Sequence, residues 1–193
     1  MGCGEGRLSR TLRGSGHDVL GVDGSPTLVA AARAAEPAIP VVLADAAALP
    51  LGDGVADLAV AFMVLHDVDD LDGVVAEVAR VLVPGGRLCA AVVHPLNSAG
   101  GFTSRDADSP YVVEGSYFAR RRYADAMARD GLEMTFHSCH RPLEDYTGAL
   151  ERSGFVVEAL REPVAPPETV RDASNSRWQR MPLFVHLRAR LDR

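Results

Sequence analysis

The chain has 193 residues, 47% of them hydrophobic and 24% charged, a globular composition with length enough for one domain and a sizeable core. Its formal net charge is −6 and every one of its 20 basic residues is arginine, so it lacks the broad basic surface of a sequence-independent nucleic-acid binder, and no nucleic-acid partner is expected. No apolar run approaches the ~18 residues that cross a bilayer, no basic start followed by an apolar stretch marks a secretory leader, and Cys3, Cys89 and Cys139 form no CxxC pair, which excludes a membrane span and points to a cytoplasmic, disulfide-free protein.

Arg7 to Arg13 reads as a helix with Leu8 and Leu12 on one face, ended by Gly14 and Gly16. Asp18 to Val22 is a short apolar strand. Ser25-Pro26 supplies an N-cap and a first-turn proline for an alanine-rich helix to about Ala35. Val41 to Ala44 is the next strand. Asp57 to Met63 is an almost uninterrupted apolar run, the pattern of a strand covered on both faces. Asp69 and Asp70 cap a helix whose apolar positions Leu71, Val74, Val75, Val78 and Leu82 recur at helical spacing until Pro84-Gly85-Gly86 stops it. Leu88 to Val93 is another buried strand. This alternation predicts an α/β, doubly wound, mostly parallel Rossmann-like sheet.

From Asn97 to Arg141 the rhythm breaks. Asn97 to Ser109 reads as loop, Tyr117 to Arg129 as helix, Leu132 to Ser138 as an extended segment. An insertion of this length after a core strand suggests a lid or substrate wall. The run Arg120-Arg121-Arg122 reads as a solvated face, and Tyr111, Tyr117 and Tyr123 as lid packing or pocket wall. Pro142 opens a last helix to Ser153, closed by Gly154. Two strands finish the chain, Phe155 to Leu160 and Leu183 to Leu191, joined by a proline-rich loop holding Trp178. In the last, Val185, Leu187, Ala189 and Leu191 share one face, as in a one-sided strand near an edge.

The chain opens Met1-Gly2-Cys3-Gly4-Glu5-Gly6 and runs directly into a helix. Glycines at spacing two allow a sharp turn and close approach to a ligand, which the helix N-terminus then faces. Asp23 ends the second expected strand of such a unit, where a carboxylate can accept from both hydroxyls of a ribose. Asp45-Ala46 ends the third, within reach of an exocyclic amine. The ordered set GxGxG, Asp23, Asp45 and the strand ending Phe62-Met63-Val64-Leu65-His66 resembles the class I S-adenosylmethionine-dependent methyltransferases, in the branch whose substrates are often small molecules.

The resemblance implies a single domain over residues 1–193, with 97–141 as the lid and an antiparallel last strand. It implies S-adenosyl-L-methionine as cofactor and a small-molecule methyl acceptor as partner. Gly2, Cys3, Gly4 and Gly6 would line the methionine part, Asp23 with Gly24 the ribose, and Asp45 and Ala46 the adenine. Phe62 and Met63 would flank the cofactor beneath the substrate. Three histidines stand as base or orienting candidates: His66 past the fourth strand, His94 at the tip of the fifth, and His140 before the last helix. His137, Cys139 and His140 lack the pattern of a metal site. In the family the glycine loop follows a strand; here Met1 stands at that strand's last position, so the first strand is expected to be truncated. A nicotinamide oxidoreductase is the rival reading, for which Asp23 serves equally well but the glycine spacing fits less; a non-catalytic fragment is the other.

Overall fold

In the computed structural model, which describes residues 1–129, 132–170 and 172–192, a two-stranded parallel sheet and a four-stranded mixed sheet are joined by the first residues of the chain. The smaller pairs β1 (Gly21–Asp23) with β2 (Val41–Leu43). The larger has the order β3 (Ala56–Phe62), β4 (Leu82–Val93), β10 (Phe184–Leu191), β9 (Phe155–Arg161). Pairing is parallel between β3 and β4 and antiparallel on both sides of β10. The fold is thus α/β with a mixed sheet and an antiparallel last strand, as expected.

The first residues of the chain bridge the two fragments. The amino group of Met1 donates to Val60 O at 2.9 Å, and Cys3 N donates to Val22 O at 3.0 Å. The chain then turns into α1 (Arg7–Gly14), entered through Gly6 at φ 83. β1 and β3 are not neighbours in a sheet.

Local chemistry sets the helices. Ser25 Oγ accepts from Leu28 N at 3.3 Å and Pro26 occupies the first turn of α2 (Pro26–Ala34). Asp70 Oδ1 accepts from Gly73 N at 2.8 Å and caps α3 (Leu71–Val81). Glu144 and Asp145 lie in the first turn of α5 (Leu143–Arg152), where carboxylates meet the positive end of the helix dipole. The core forms where Val74, Val75 and Val78 of α3 and Tyr146, Ala149 and Leu150 of α5 meet the inner face of the sheet, built from Ala61, Leu88, Ala90, Val185, Leu187 and Ala189.

The other face of that sheet corrects an expectation. Leu58, Val60 and Phe62 stand in register with Arg87, Cys89 and Ala91. Leu58 is 41% and Phe62 53% exposed, so β3 is covered on one face and not on both. On this face Glu158 receives Arg87, Arg188 and Arg190 at 3.0, 3.1 and 3.5 Å. β10 lies one strand in from the edge, between β4 and β9, with one apolar and one charged face, as its alternation led us to expect.

The 97–141 segment, apart from residues 130 and 131, which lie outside the described residues, is also built differently from expectation. A short helix, α4 (Pro95–Ala99), leads into β5 (Gly100–Phe102), which pairs with β6 (Tyr111–Val113). The stretch expected to be helical is instead β7 (Arg121–Arg129), antiparallel to β8 (Leu132–His140) over nine residue pairs. Alanine and arginine favour a helix, but a full ladder to a partner strand outweighs that weak preference. The arginine run is exposed yet anchored. Arg120 pairs with Asp145 at 2.7 Å, Arg121 donates to Ser98 O at 2.5 Å, and Arg122 pairs with Asp69 at 2.9 Å. Phe102 stacks edge-on with Tyr111 and Trp178 at 5.0 and 4.9 Å, and so fastens the β5–β6 hairpin to the segment before β10.

The two faces of the larger sheet should respond unequally to truncation. Leu88→Ala, at a position 1% exposed, is expected to lower unfolding free energy by about 2–5 kcal/mol. Leu58→Ala is expected to lower it by less than about 1 kcal/mol. Urea denaturation of both variants checks this, and equal losses would contradict the one-sided sheet.

Candidate cofactor pocket

Parallel strands end on the same side, so the loops after β1, β2 and β3 converge. Between them lies a cavity of about 500 Å³, within the range of small-ligand sites. Five of the residues expected at the cofactor line it: Gly2, Asp23, Gly24, Asp45 and Ala46. Cys3, Gly4, Gly6, Phe62 and Met63 do not. The lining also includes Val64, Asp67 and Val68 from the loop after β3, none of which was expected at the pocket. Met63 turns the chain into that loop from a left-handed backbone conformation, φ 57, uncommon for a non-glycine residue.

The glycine loop is held by Asp23 itself. Its Oδ2 accepts from Gly4 N at 2.8 Å and its Oδ1 from Ser25 N at 2.9 Å. Gly6 N closes the turn onto Cys3 O at 2.9 Å. Gly2 has φ 58, and a Cβ there would lie 2.5 Å from Val64 Cγ2, so the wall requires glycine. Asp45 Oδ1 accepts from Ala47 N at 2.9 Å. Burial raises the Cys3 thiol, with Asp23 adding to the shift, so Cys3 stays protonated and is no nucleophile.

These groups suit an adenosine-bearing ligand. Carboxylates at two successive strand tips accept hydrogen bonds from hydroxyl and amine groups, and each retains lone pairs beyond those its backbone partners use. The charged residues in the lining are all aspartates: 23, 45 and 67.

The three candidate histidines are not brought together at this cavity. His140 is fully buried, with Nδ1 2.7 Å from Ser98 Oγ and Nε2 2.9 Å from Tyr117 O. Both its nitrogens hold structure. His94 Nδ1 accepts from Leu96 N at 3.0 Å, capping α4, and Nε2 meets Glu162 Oε1 at 2.9 Å. His66 differs. It is 6% exposed, its Nδ1 is buried without a hydrogen-bond partner, and its Nε2 lies 3.5 Å from Asp67 Oδ1. Tyr111 and Tyr117 pack rather than wall the pocket: the Tyr111 hydroxyl donates to Leu96 O at 2.6 Å, and that of Tyr117 accepts from Leu143 N at 3.0 Å.

The His66–Asp67 loop is stapled from the far side by the end of β8 and the residue that follows it. Ser138 Oγ donates to Asp67 Oδ1 at 2.6 Å, and Cys139 N to His66 O at 2.8 Å. The buried guanidinium of Arg141 donates to the carbonyls of Val68 and Asp69 at 2.5 and 3.1 Å and reaches Leu65 O at 3.5 Å. Sequence offers no local signal for these contacts, which join residues more than 70 positions apart.

Burial lowers the pKa of His66 against the opposing pull of Asp67, and that of His94 against Glu162. A folded pKa below the unfolded value, about 6.5, means the unfolded chain binds more protons in that window. The stability these neutral imidazoles permit is present above that pH and is lost as pH falls through their folded values. Urea midpoints should therefore drop on acidification from pH 7.5 to 5, and His66→Gln should flatten the drop; an unchanged slope would show that His66 is not buried neutral.

The sequence of residues 1–90 matches the family model described as a methyltransferase domain. An uncharacterized methyltransferase of Mycobacterium tuberculosis is 40% identical over 88 residues, 46% of this chain and 36% of the relative. The chain thus spans about a third of the length of that curated relative. An S-adenosylmethionine-dependent methyltransferase structure from Mesorhizobium loti superposes with a TM-score of 0.80 at 27% identity, covering 98% of this chain and 88% of the other. A glycopeptide N-methyltransferase complexed with S-adenosyl-L-methionine shares the fold, with a TM-score of 0.63 at 20% identity over 97% and 78% of the two chains. The first 90 residues are thus similar in sequence to a methyltransferase domain, and the described residues share the architecture of solved S-adenosylmethionine-dependent methyltransferases.

Proposed function

We propose that this protein transfers a methyl group from S-adenosyl-L-methionine to a small-molecule acceptor in the cytoplasm. One observation carries the reading: a 500 Å³ cavity at the convergent strand tips, lined by Gly2, Asp23 and Asp45 in the order the cofactor's parts require. In it Asp23 takes the ribose hydroxyls, Asp45 and Ala46 the adenine side, and the Gly2 wall the methionine end. The three free cysteines favour the cytoplasm.

When bound, S-adenosyl-L-methionine would supply an activated methyl group on a sulfonium, with the thioether S-adenosylhomocysteine as its leaving group. The protein's part is to hold donor and acceptor in line and exclude water. The glycine loop, locked by Asp23, fixes the donor. Residues 97–141 form the acceptor wall, rooted against the pocket loop by Ser138, Cys139 and the adjoining Arg141. Of the three histidines, His94 and His140 serve the scaffold, and His66, buried beside the pocket residue Asp67, is the one that remains a candidate base.

Isothermal calorimetry tests the reading. Saturable binding of S-adenosylmethionine and S-adenosylhomocysteine is expected, with none of NAD. Gly2→Ala should weaken both by at least roughly tenfold, because the methyl meets Val64 and the backbone conformation disfavours alanine. Binding of NAD alone would overturn the assignment in favour of an oxidoreductase.

A further inference from the structure

The cavity has two distinguishable ends. Asp45 belongs to the tip of β2 and Asp23 to the tip of β1; Asp67 comes from the loop after β3, across the seam bridged by Met1 and Cys3. The sheet order therefore places Asp67 at the end opposite Asp45. With the nucleoside held by Asp45 and Asp23, which rests on the function proposed above, Asp67 lies at the sulfur-bearing end, where donor and acceptor meet.

The Asp67 carboxylate is built for a further contact. Its side chain is 28% exposed. Oδ1 is fixed by Ser138 Oγ at 2.6 Å, with His66 Nε2 3.5 Å away; among the described residues Oδ2 has no hydrogen-bond partner. Two arginines of the same region are committed elsewhere: Arg141 to the carbonyls of Leu65, Val68 and Asp69, and Arg122 to Asp69. A pocket whose charged lining residues are all carboxylates repels an anionic acceptor and favours one that offers a hydrogen.

We infer that Asp67 is an acceptor-binding residue, accepting a hydrogen bond from the N–H or O–H of an amine or hydroxyl substrate and so aiming its lone pair at the methyl group, and that Ser138 is its positioning residue. Carboxylic acids are then excluded as acceptors. Ser138 restrains the carboxylate from the hairpin side, which makes the geometry of the acceptor contact depend on the seating of β8.

The test needs no knowledge of the natural acceptor. Sinefungin carries a primary amine on a carbon in place of the methylated sulfur, so its ammonium projects to where methyl and acceptor meet. Calorimetric affinities of sinefungin, S-adenosylmethionine and S-adenosylhomocysteine are compared for the unmodified protein, Asp67→Asn and Ser138→Ala. The unmodified protein is expected to bind sinefungin about tenfold or more tighter than S-adenosylhomocysteine, as a charge-assisted hydrogen bond predicts. Asp67→Asn, which keeps an acceptor for Ser138, should remove that preference and leave S-adenosylhomocysteine affinity and the sulfonium preference unchanged. Ser138→Ala should remove part of it.

Three results would overturn the inference while leaving the methyltransferase reading intact: no sinefungin preference in the unmodified protein, a preference that survives Asp67→Asn, or equal loss of all three ligands in that variant, the mark of a merely structural carboxylate. A parallel fall in the sulfonium and amine preferences would make Asp67 a partner of the cofactor's own charge and would likewise sink it. Failure of the unmodified protein to bind any of the three overturns the methyltransferase reading and the Asp67 role together.

Discussion

The pocket depends on a bridge of three residues. Met1 N grips Val60 O in the larger sheet, Cys3 N grips Val22 O in the smaller, and both bonds are near 3 Å. A chain advances at most ~3.3–3.6 Å per residue, so this span fixes how far apart the tips of β1 and β3 can stand. Everything that lines the cavity on one side hangs from β1 and β2, and everything on the other from β3. Gly2 lies between the two grips, and the positive φ that brings its backbone against Val64 is what lets so short a bridge turn. Asp23 then locks the next residue by accepting from Gly4 N. The carboxylate expected to meet a ribose is thus also the anchor of its own loop, and removing it disturbs frame and ligand contact at once.

The balance between the two fragments follows from where the cores sit. The larger sheet shares one continuous cluster with α3 and α5, whereas β2 and α2 enclose a small one of Val29, Ala32, Ile39 and Val41. At ~25 cal/mol per Å² of apolar surface buried, the larger side carries most of the stability. The smaller side gains its place through the bridge and through Val22, Leu49 and Val81, which pack across from β1 to α3. The ligand, contacting both sides, would tie them further, since binding to the folded form alone stabilises it by mass action.

The alternation of strands and helices was legible because its signals are local. Ser25-Pro26 and Asp70 cap helices wherever they occur, and the apolar spacing from Leu71 to Val78 permits only one buried face. Aspartates at strand tips are legible for a related reason, since chain order alone puts Asp23 and Asp45 on the same rim. β7 was not legible: its composition favours a helix, and only the β8 ladder decides otherwise. The two-sided cover expected for β3 failed because an apolar run reports what a strand could bury and not what lies against it. Among the histidines, His94 precedes a proline at the first turn of a short helix, which is a readable cap; His140 is claimed by Ser98, 42 residues away, which no local pattern reveals. Asp67 sits in a loop without periodicity, next to Asp69 and Asp70, and looks like one more polar residue before a helix until the fold sets it against the cavity.

The staple between β8 and the pocket loop limits what can change at that end of the hairpin. Ser138, Cys139 and Arg141 bond to residues 66–69 from one short segment, and the buried guanidinium of Arg141 donates to the carbonyls of Val68 and Asp69. Leaving those carbonyls unmatched costs about 1–3 kcal/mol each, so the root of the hairpin resists change. Phe136, by contrast, is 40% exposed, and Arg122, in register with Cys139, has 77% of its side chain exposed and meets Asp69 at 2.9 Å. Change is therefore costly at Arg141 and cheap at exposed positions of the same hairpin such as Phe136.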